Sequence, residues 1–135
     1  MKKVVIIARL LMGLPLLVLG LNGFLEFMEP PWDLSSDALS LLRSFKDTGY
    51  LVPFMDGAMA LSGLLLIAGL FVPLALVLMA PLVIHFCLVH VFLDDPKNGI
   101  PAYVLAGLEL FLVVAYGSYF KGFFKPRPRN RFEAP

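Results

Sequence analysis

Four apolar runs, each close to twenty residues or longer, alternate with short polar segments along the chain. The first covers about residues 4–27, with Pro15 as the expected site of a kink. Neighbouring helices can re-satisfy the carbonyl that such a proline frees. Between 57 and 84 no charged residue occurs, and the apolar stretch continues to Leu93. As one helix, residues 57–93 would be about 55 Å long, against a hydrocarbon core of roughly 30 Å. The segment must therefore fold into a hairpin. Gly69 as a helix C-cap and Pro73 as the first residue of the next helix mark its turn. Spans two and three are expected at about 50–70 and 73–92, and span four at about 101–119.

The polar segments are as informative. Residues 28–49 form the one substantial loop, punctuated by Glu29-Pro30-Pro31-Trp32, where Trp32 suits the headgroup level. After Ser36, read as an N-cap, Ala38, Leu41, Leu42 and Phe45 recur at helical spacing. That pattern predicts a short amphipathic helix lying on the membrane surface. The expected fold is all-α: an integral membrane four-helix bundle with an interfacial amphipathic helix between spans one and two, in one domain over residues 1–135. Ala58/Ser62 and Ala102/Ala106 are small-xxx-small pairs of the kind that let membrane helices approach closely.

Composition removes the soluble alternative. Apolar residues make up 59% of 135, charged residues 16%, and mean hydropathy is +0.85. A soluble domain this small leaves too large a share of its surface in water to hide that much apolar area. Disorder is excluded on the same ground. No basic stripe interleaved with aromatics exists, so nucleic acid is not an expected partner. The single cysteine, Cys87, lies inside an apolar run and has no partner for a disulfide or CxxC chemistry. Arg9 interrupts the apolar N-terminal run and no small-x-small site follows it, so the run reads as a retained first span rather than a cleaved leader.

Charge sets the expected sidedness. Four spans put Lys2, Lys3, Lys121, Lys125, Arg127, Arg129 and Arg131 on one side, seven cations in all. The other side has Arg43, Lys46 and Lys97, three, with the acids Glu29, Asp33, Asp37, Asp47, Asp94 and Asp95. The positive-inside rule then expects a plasma (inner) membrane protein with both termini, and the basic tail 120–135, in the cytoplasm.

Ionisable groups within spans are costly and make default candidates for function. Here they are Arg9, Glu26, Asp56, His85, His90 and Glu109, with Asn22 as a polar companion one turn from Glu26. All but Arg9 fall in the outer half of the expected bundle or near its midplane. They are read as lining a pocket open to the outer side, suited to a quinone headgroup whose carbonyls accept hydrogen bonds. His85 would donate to a carbonyl, and Asp56 or Glu109 would supply protons. The plainer reading has Glu26, Asp56 and His90 reaching interfacial water. Arg9 then either snorkels to phosphates or pairs with Glu109, and His85 and Glu109 tie helices together. No metal site is expected: His85 and His90, at i and i+5, point about 140° apart on a helix, and three converging ligands are not evident.

The chain resembles the DoxX-like family of small four-helix bacterial membrane proteins. The matching segments are Arg9-Leu-Leu-Met-Gly, Leu21-Asn-Gly-Phe-Leu-Glu-Phe-Met, Thr48-Gly-Tyr-Leu-Val-Pro and the run from Ser62-Gly-Leu to Leu76-Val-Leu. Ala80-Pro, His90-Val-Phe-Leu-Asp, Leu108-Glu-Leu and Ala115-Tyr continue it, so the match covers nearly the whole chain in order. The resemblance implies a plasma-membrane four-helix protein, named after subunits linked to a thiosulfate:quinone oxidoreductase or terminal oxidase. It implies Arg9, Asn22, His90 and Glu109 as family-type polar positions. Two features depart from the family pattern. Met59 stands where relatives carry an acid before the span-two glycine, with Asp56 a turn earlier, and His85 stands near a position usually amide or apolar.

Three functional readings follow. The first is an accessory, quinone-interacting subunit of a membrane redox system, working with a partner protein that holds the redox cofactor, since the chain has no evident cofactor site of its own. The second is a non-catalytic scaffold or assembly factor. The third is a small-solute conduit formed by a homo-oligomer. Membrane lipid is a partner in all three.

Overall fold

In hydrocarbon every backbone N–H and C=O must find a partner within the chain, so long apolar runs resolve into helices. The computed structural model, which describes residues 1–29, 33–126 and 131–132, contains helices and no strand among those residues. α1 is Lys2–Leu25, α2 Ser36–Asp47, α3 Leu51–Ala68, α4 Val72–Phe92, α5 Ile100–Ala115 and α6 Gly117–Phe120. Four helical segments, Lys2–Leu25, Leu51–Ala68, Val72–Phe92 and Pro96–Ala115, are long and apolar enough to cross a bilayer. The last opens with a 3-10 turn, Pro96–Gly99. The four-helix bundle expected of a multi-pass membrane protein is therefore present. Arg127 and Arg129 of the basic tail, and Trp32 with its flanking prolines, lie outside the described residues.

Helix ends follow local chemistry. α1 stops at Leu25 rather than near Phe27, because Asn22 competes for the backbone beyond it. Its side-chain amide donates to the Met28 carbonyl and accepts from the Met28 N–H, both at 2.9 Å, while Glu26 sits in the left-handed region at φ 48°. α2 starts one residue earlier than expected. Ser35, not Ser36, is the N-cap, accepting from the Ala38 N–H at 3.3 Å. The apolar face of α2 is the anticipated one: Ala38 is buried and Leu41, Leu42 and Phe45 are half-buried, while Arg43 and Lys46 are exposed.

The α3–α4 turn is closed by Gly69 at φ 73°, whose N–H donates to the Leu65 carbonyl, with the Leu70 N–H on the same oxygen. Phe71 then adopts φ 49°, and α4 begins at Val72, so Pro73 is its second residue rather than its first. Either position suits proline, whose missing N–H has no intrahelical acceptor there. α5 ends at Ala115 instead of continuing to about 119, and the backbone breaks at Tyr116 before the single turn of α6.

The interior is narrow. Met12, Leu16, Leu66, Leu76, Met79 and Leu112 are fully buried, while much of the surface is Leu, Val, Ile and Phe. In water so much exposed apolar surface would drive association; in a bilayer it meets its own kind. The most extensive packing is α1 against α3. Glycines create it: a Cβ on Gly63 would lie 2.5 Å from the Leu17 nitrogen, and one on Gly13 2.9 Å from the Gly63 carbonyl. Close backbone approach substitutes here for the hydrophobic effect, which cannot drive helices together within lipid. The two alanine-type pairs expected to mediate packing divide their roles. Ser62 is buried while Ala58 faces a groove, and Ala102 approaches α4, its carbonyl accepting from the Cys87 thiol at 3.5 Å.

Candidate functional site

The seven polar residues singled out from sequence do not converge on one pocket. Arg9 crosses from α1 to the far ends of two other helices. Its Nε donates to the Leu66 carbonyl at 3.1 Å and its Nη1 to the Tyr116 hydroxyl at 3.3 Å. A cation at the C-terminus of α3 is favoured by the carbonyls exposed there. Arg9 forms no ion pair with Glu109 among the described residues. Asn22 and Glu26 belong to the structure that ends α1.

His90 joins a different network. Its Nδ1 lies 3.0 Å from Asp94 Oδ2, while Asp94 Oδ1 accepts from the Ser35 backbone N–H at 3.0 Å. Asn98 approaches the same carboxylate, and the Ser35 hydroxyl donates to the Leu93 carbonyl. Loss of hydration works against the Asp94 carboxylate. Hydrogen bonds from the Ser35 and Asp95 backbone, His90 and Asn98 outweigh it and hold the pKa below the usual carboxylate value. The network fastens the start of α2 to the end of α4.

Asp56 and Glu109 lie on α3 and α5 and join neither the Arg9 contacts nor the His90 network. Asp56 fills the notch opposite Gly23 of α1, where a Cβ would fall on its carboxylate. Glu109 is 6% exposed, and neither of its oxygens has a hydrogen-bond partner among the described residues. The hydroxyl of Ser62, fully buried on α3, is likewise unpaired there. No three His, Cys, Asp or Glu side chains converge into a metal-binding group among the described residues.

Of the seven, His85 lines a sizeable cavity. A groove of about 570 Å³ runs between α3 and α4, with walls from Met55, Ala58, Leu74, Leu78 and Leu82, among others. It extends along α4 from Leu74 to His85, about 16 Å at the helical rise. Phe45 of α2 covers the His85 end, the two rings lying 5.5 Å apart. Phe54, Leu74 and Val77 line the groove and are themselves exposed, so it opens sideways on the lipid-facing surface. His85 is its one polar side chain.

Such an arrangement can hold a long apolar molecule and hydrogen-bond one polar end of it. It cannot bring two carboxylates to the same ligand: Asp56 and Glu109, expected to supply protons beside His85, are not among the lining residues. Sequence reasoning missed the Phe45 contact because α2 docks across a loop, and it missed Ser35, Asp94 and Asn98 because their partners lie on different elements. Comparison with protein-family models, curated proteins and solved structures returned no match.

Proposed function

We propose that the protein is a DoxX-like accessory subunit of a membrane redox system, and that it binds quinone in the α3–α4 groove. What carries this reading is His85 at one end of an elongated, otherwise apolar groove, beneath the ring of Phe45. A quinone needs a hydrogen-bond donor for a carbonyl, an aromatic or aliphatic wall for its ring and a greasy channel for its isoprenoid tail. His85, Phe45 and the walls of α3 and α4 supply these three. Electrons would come from or pass to a partner protein that holds the redox cofactor. The excess of Lys and Arg at the termini, seven against three, supports insertion in the plasma membrane with both termini in the cytoplasm.

The test is purification in mild detergent, followed by organic extraction and quantification of ubiquinone or menaquinone. Wild type is expected to retain quinone at near-equimolar amounts. His85→Ala should lower retention about tenfold, the scale of one lost hydrogen bond to a desolvated ligand. Leu78→Trp should exclude the tail and abolish retention. Equal quinone content in all three samples, or none in wild type, refutes the reading.

A second reading, a non-catalytic scaffold, draws on Arg9, Asn22 and His90. All three are engaged in holding helix ends and loops. Quinone-free wild type that captures the same partner proteins as His85→Ala would favour it.

A further inference from the structure

The opposite end of the bundle holds a second cavity, of about 250 Å³, lined by Gly69, Phe71, Val72, Pro73, Tyr116 and Tyr119. It differs from the groove in having two phenols and in adjoining a guanidinium. Arg9 packs directly on Gly69: a Cβ there would lie 2.6 Å from Nη2 and 2.8 Å from Nη1. The bonds that Arg9 makes, to the Leu66 carbonyl and the Tyr116 hydroxyl, are to neutral acceptors. No Asp or Glu occurs among residues 1–9, 66–75 or 115–126, the described segments at this end. Arginine stays ionised in proteins. Among the described residues Arg9 is therefore a partly buried positive charge with no carboxylate bonded to it, an arrangement that favours capture of an anion.

The shape of the rim selects the kind of anion. Leu70, Phe71, Phe123 and Phe124 are each at least 60% exposed, and Lys2, Lys3, Lys121 and Lys125 stand at the same end. Lysines flanking the spans, with the exposed Tyr119 beside them, mark headgroup depth in a bilayer. A free anion would gain nothing from the apolar rim, whereas glycerol and acyl chains would lie on it.

We propose that this cavity binds the phosphate of an anionic phospholipid. Arg9 supplies the counter-charge, and its planar donors match a phosphate oxyanion. The Tyr116 hydroxyl, accepting from Arg9, keeps its own proton to donate, and Tyr119 offers a second phenol beside it. The lipid would brace the ends of α3, α4 and α5 at the point where Tyr116 interrupts the helix.

Native mass spectrometry of the full chain, offered equal phosphatidylglycerol and phosphatidylethanolamine, tests the proposal. Wild type is expected to retain one phosphatidylglycerol. Arg9→Gln and Tyr119→Ala should each cut that retention at least tenfold. Tyr119 is 69% exposed, so removal of its ring leaves the core intact and keeps the test independent of Arg9's hold on α3. Lys121→Gln with Lys125→Gln should change retention by less than twofold. Wild-type retention in both Arg9→Gln and Tyr119→Ala would overturn the proposal, as would equal retention of the two lipids. Displacement of the lipid by millimolar inorganic phosphate would overturn the assignment to lipid and leave a soluble-anion site.

Discussion

Gly20 of α1 lies against the backbone of Ala60 on α3: a Cβ there would fall on the Ala60 nitrogen and within 2.6 Å of the Asp56 carbonyl. The two helices touch main chain to main chain at this level, and a methyl group has nowhere to go.

Gly20→Ala is accordingly expected to destabilise the protein by about 1–3 kcal/mol through overpacking, although alanine is the better helix former. Gly107→Ala is the matched control. Nothing lies within 4 Å of its Cβ position, so it should be neutral or stabilising by up to about 1 kcal/mol. Unfolding in mixed micelles with increasing denaturing detergent measures both. Equal effects at the two positions would show that the α1–α3 contact is looser than described.

Glu109→Leu should raise stability. Its two carboxyl oxygens are buried and unpaired among the described residues, and leaving a polar group in that state costs roughly 1–3 kcal/mol. A higher melting temperature in detergent is the expected result. A lower one would mean that the carboxyl is satisfied by a partner bound within the bundle.

Acid should loosen the attachment of α2. The Asp94 pKa is held below its ordinary 3.8 in the folded protein. The stabilisation it provides is therefore present above pH 3.8 and is lost as pH falls through the lower, folded value. Asp94→Asn should remove that acid limb from a plot of melting temperature against pH between roughly 2 and 6 while lowering the plateau. Unchanged acid sensitivity in the variant would assign the effect to other carboxylates.

Ser35→Ala removes both the cap on α2 and the bond to the Leu93 carbonyl. A loss of about 1 kcal/mol is expected from the cap alone. Amide hydrogen exchange should localise the change to the first turn of α2, and protection there equal to wild type would contradict the capping role.

The spans were legible because an apolar run of about 55 Å, against a hydrocarbon core of roughly 30 Å, admits one solution, a hairpin, and Gly69 is the residue able to turn it. The amphipathic α2 was legible from Ala38, Leu41, Leu42 and Phe45 for the same reason: a period of 3.6 reports which face is covered. The α1–α3 seam was written in the chain too, as Gly13 against Gly63, Gly20 against Ala60 and Gly23 against Asp56. A search restricted to fourth-residue spacing passes over glycines seven apart. Side-chain partners were less accessible. Asn22 reads as an intramembrane amide until its helix is seen to end three residues later, and Arg9 reads as a snorkelling cation or a partner of Glu109 until the ends of α3 and α5 arrive beside it. Both depend on where helices stop, which a few local hydrogen bonds decide.

The groove beside His85 opens sideways between α3 and α4. Its open flank is bounded by Phe54, Leu74 and Val77 on the surface that faces acyl chains. A molecule entering by that flank must first dissolve in the membrane. Occupancy would then follow moles of guest per mole of lipid rather than molarity in the buffer, and titrations should be scaled to the amount of bilayer present.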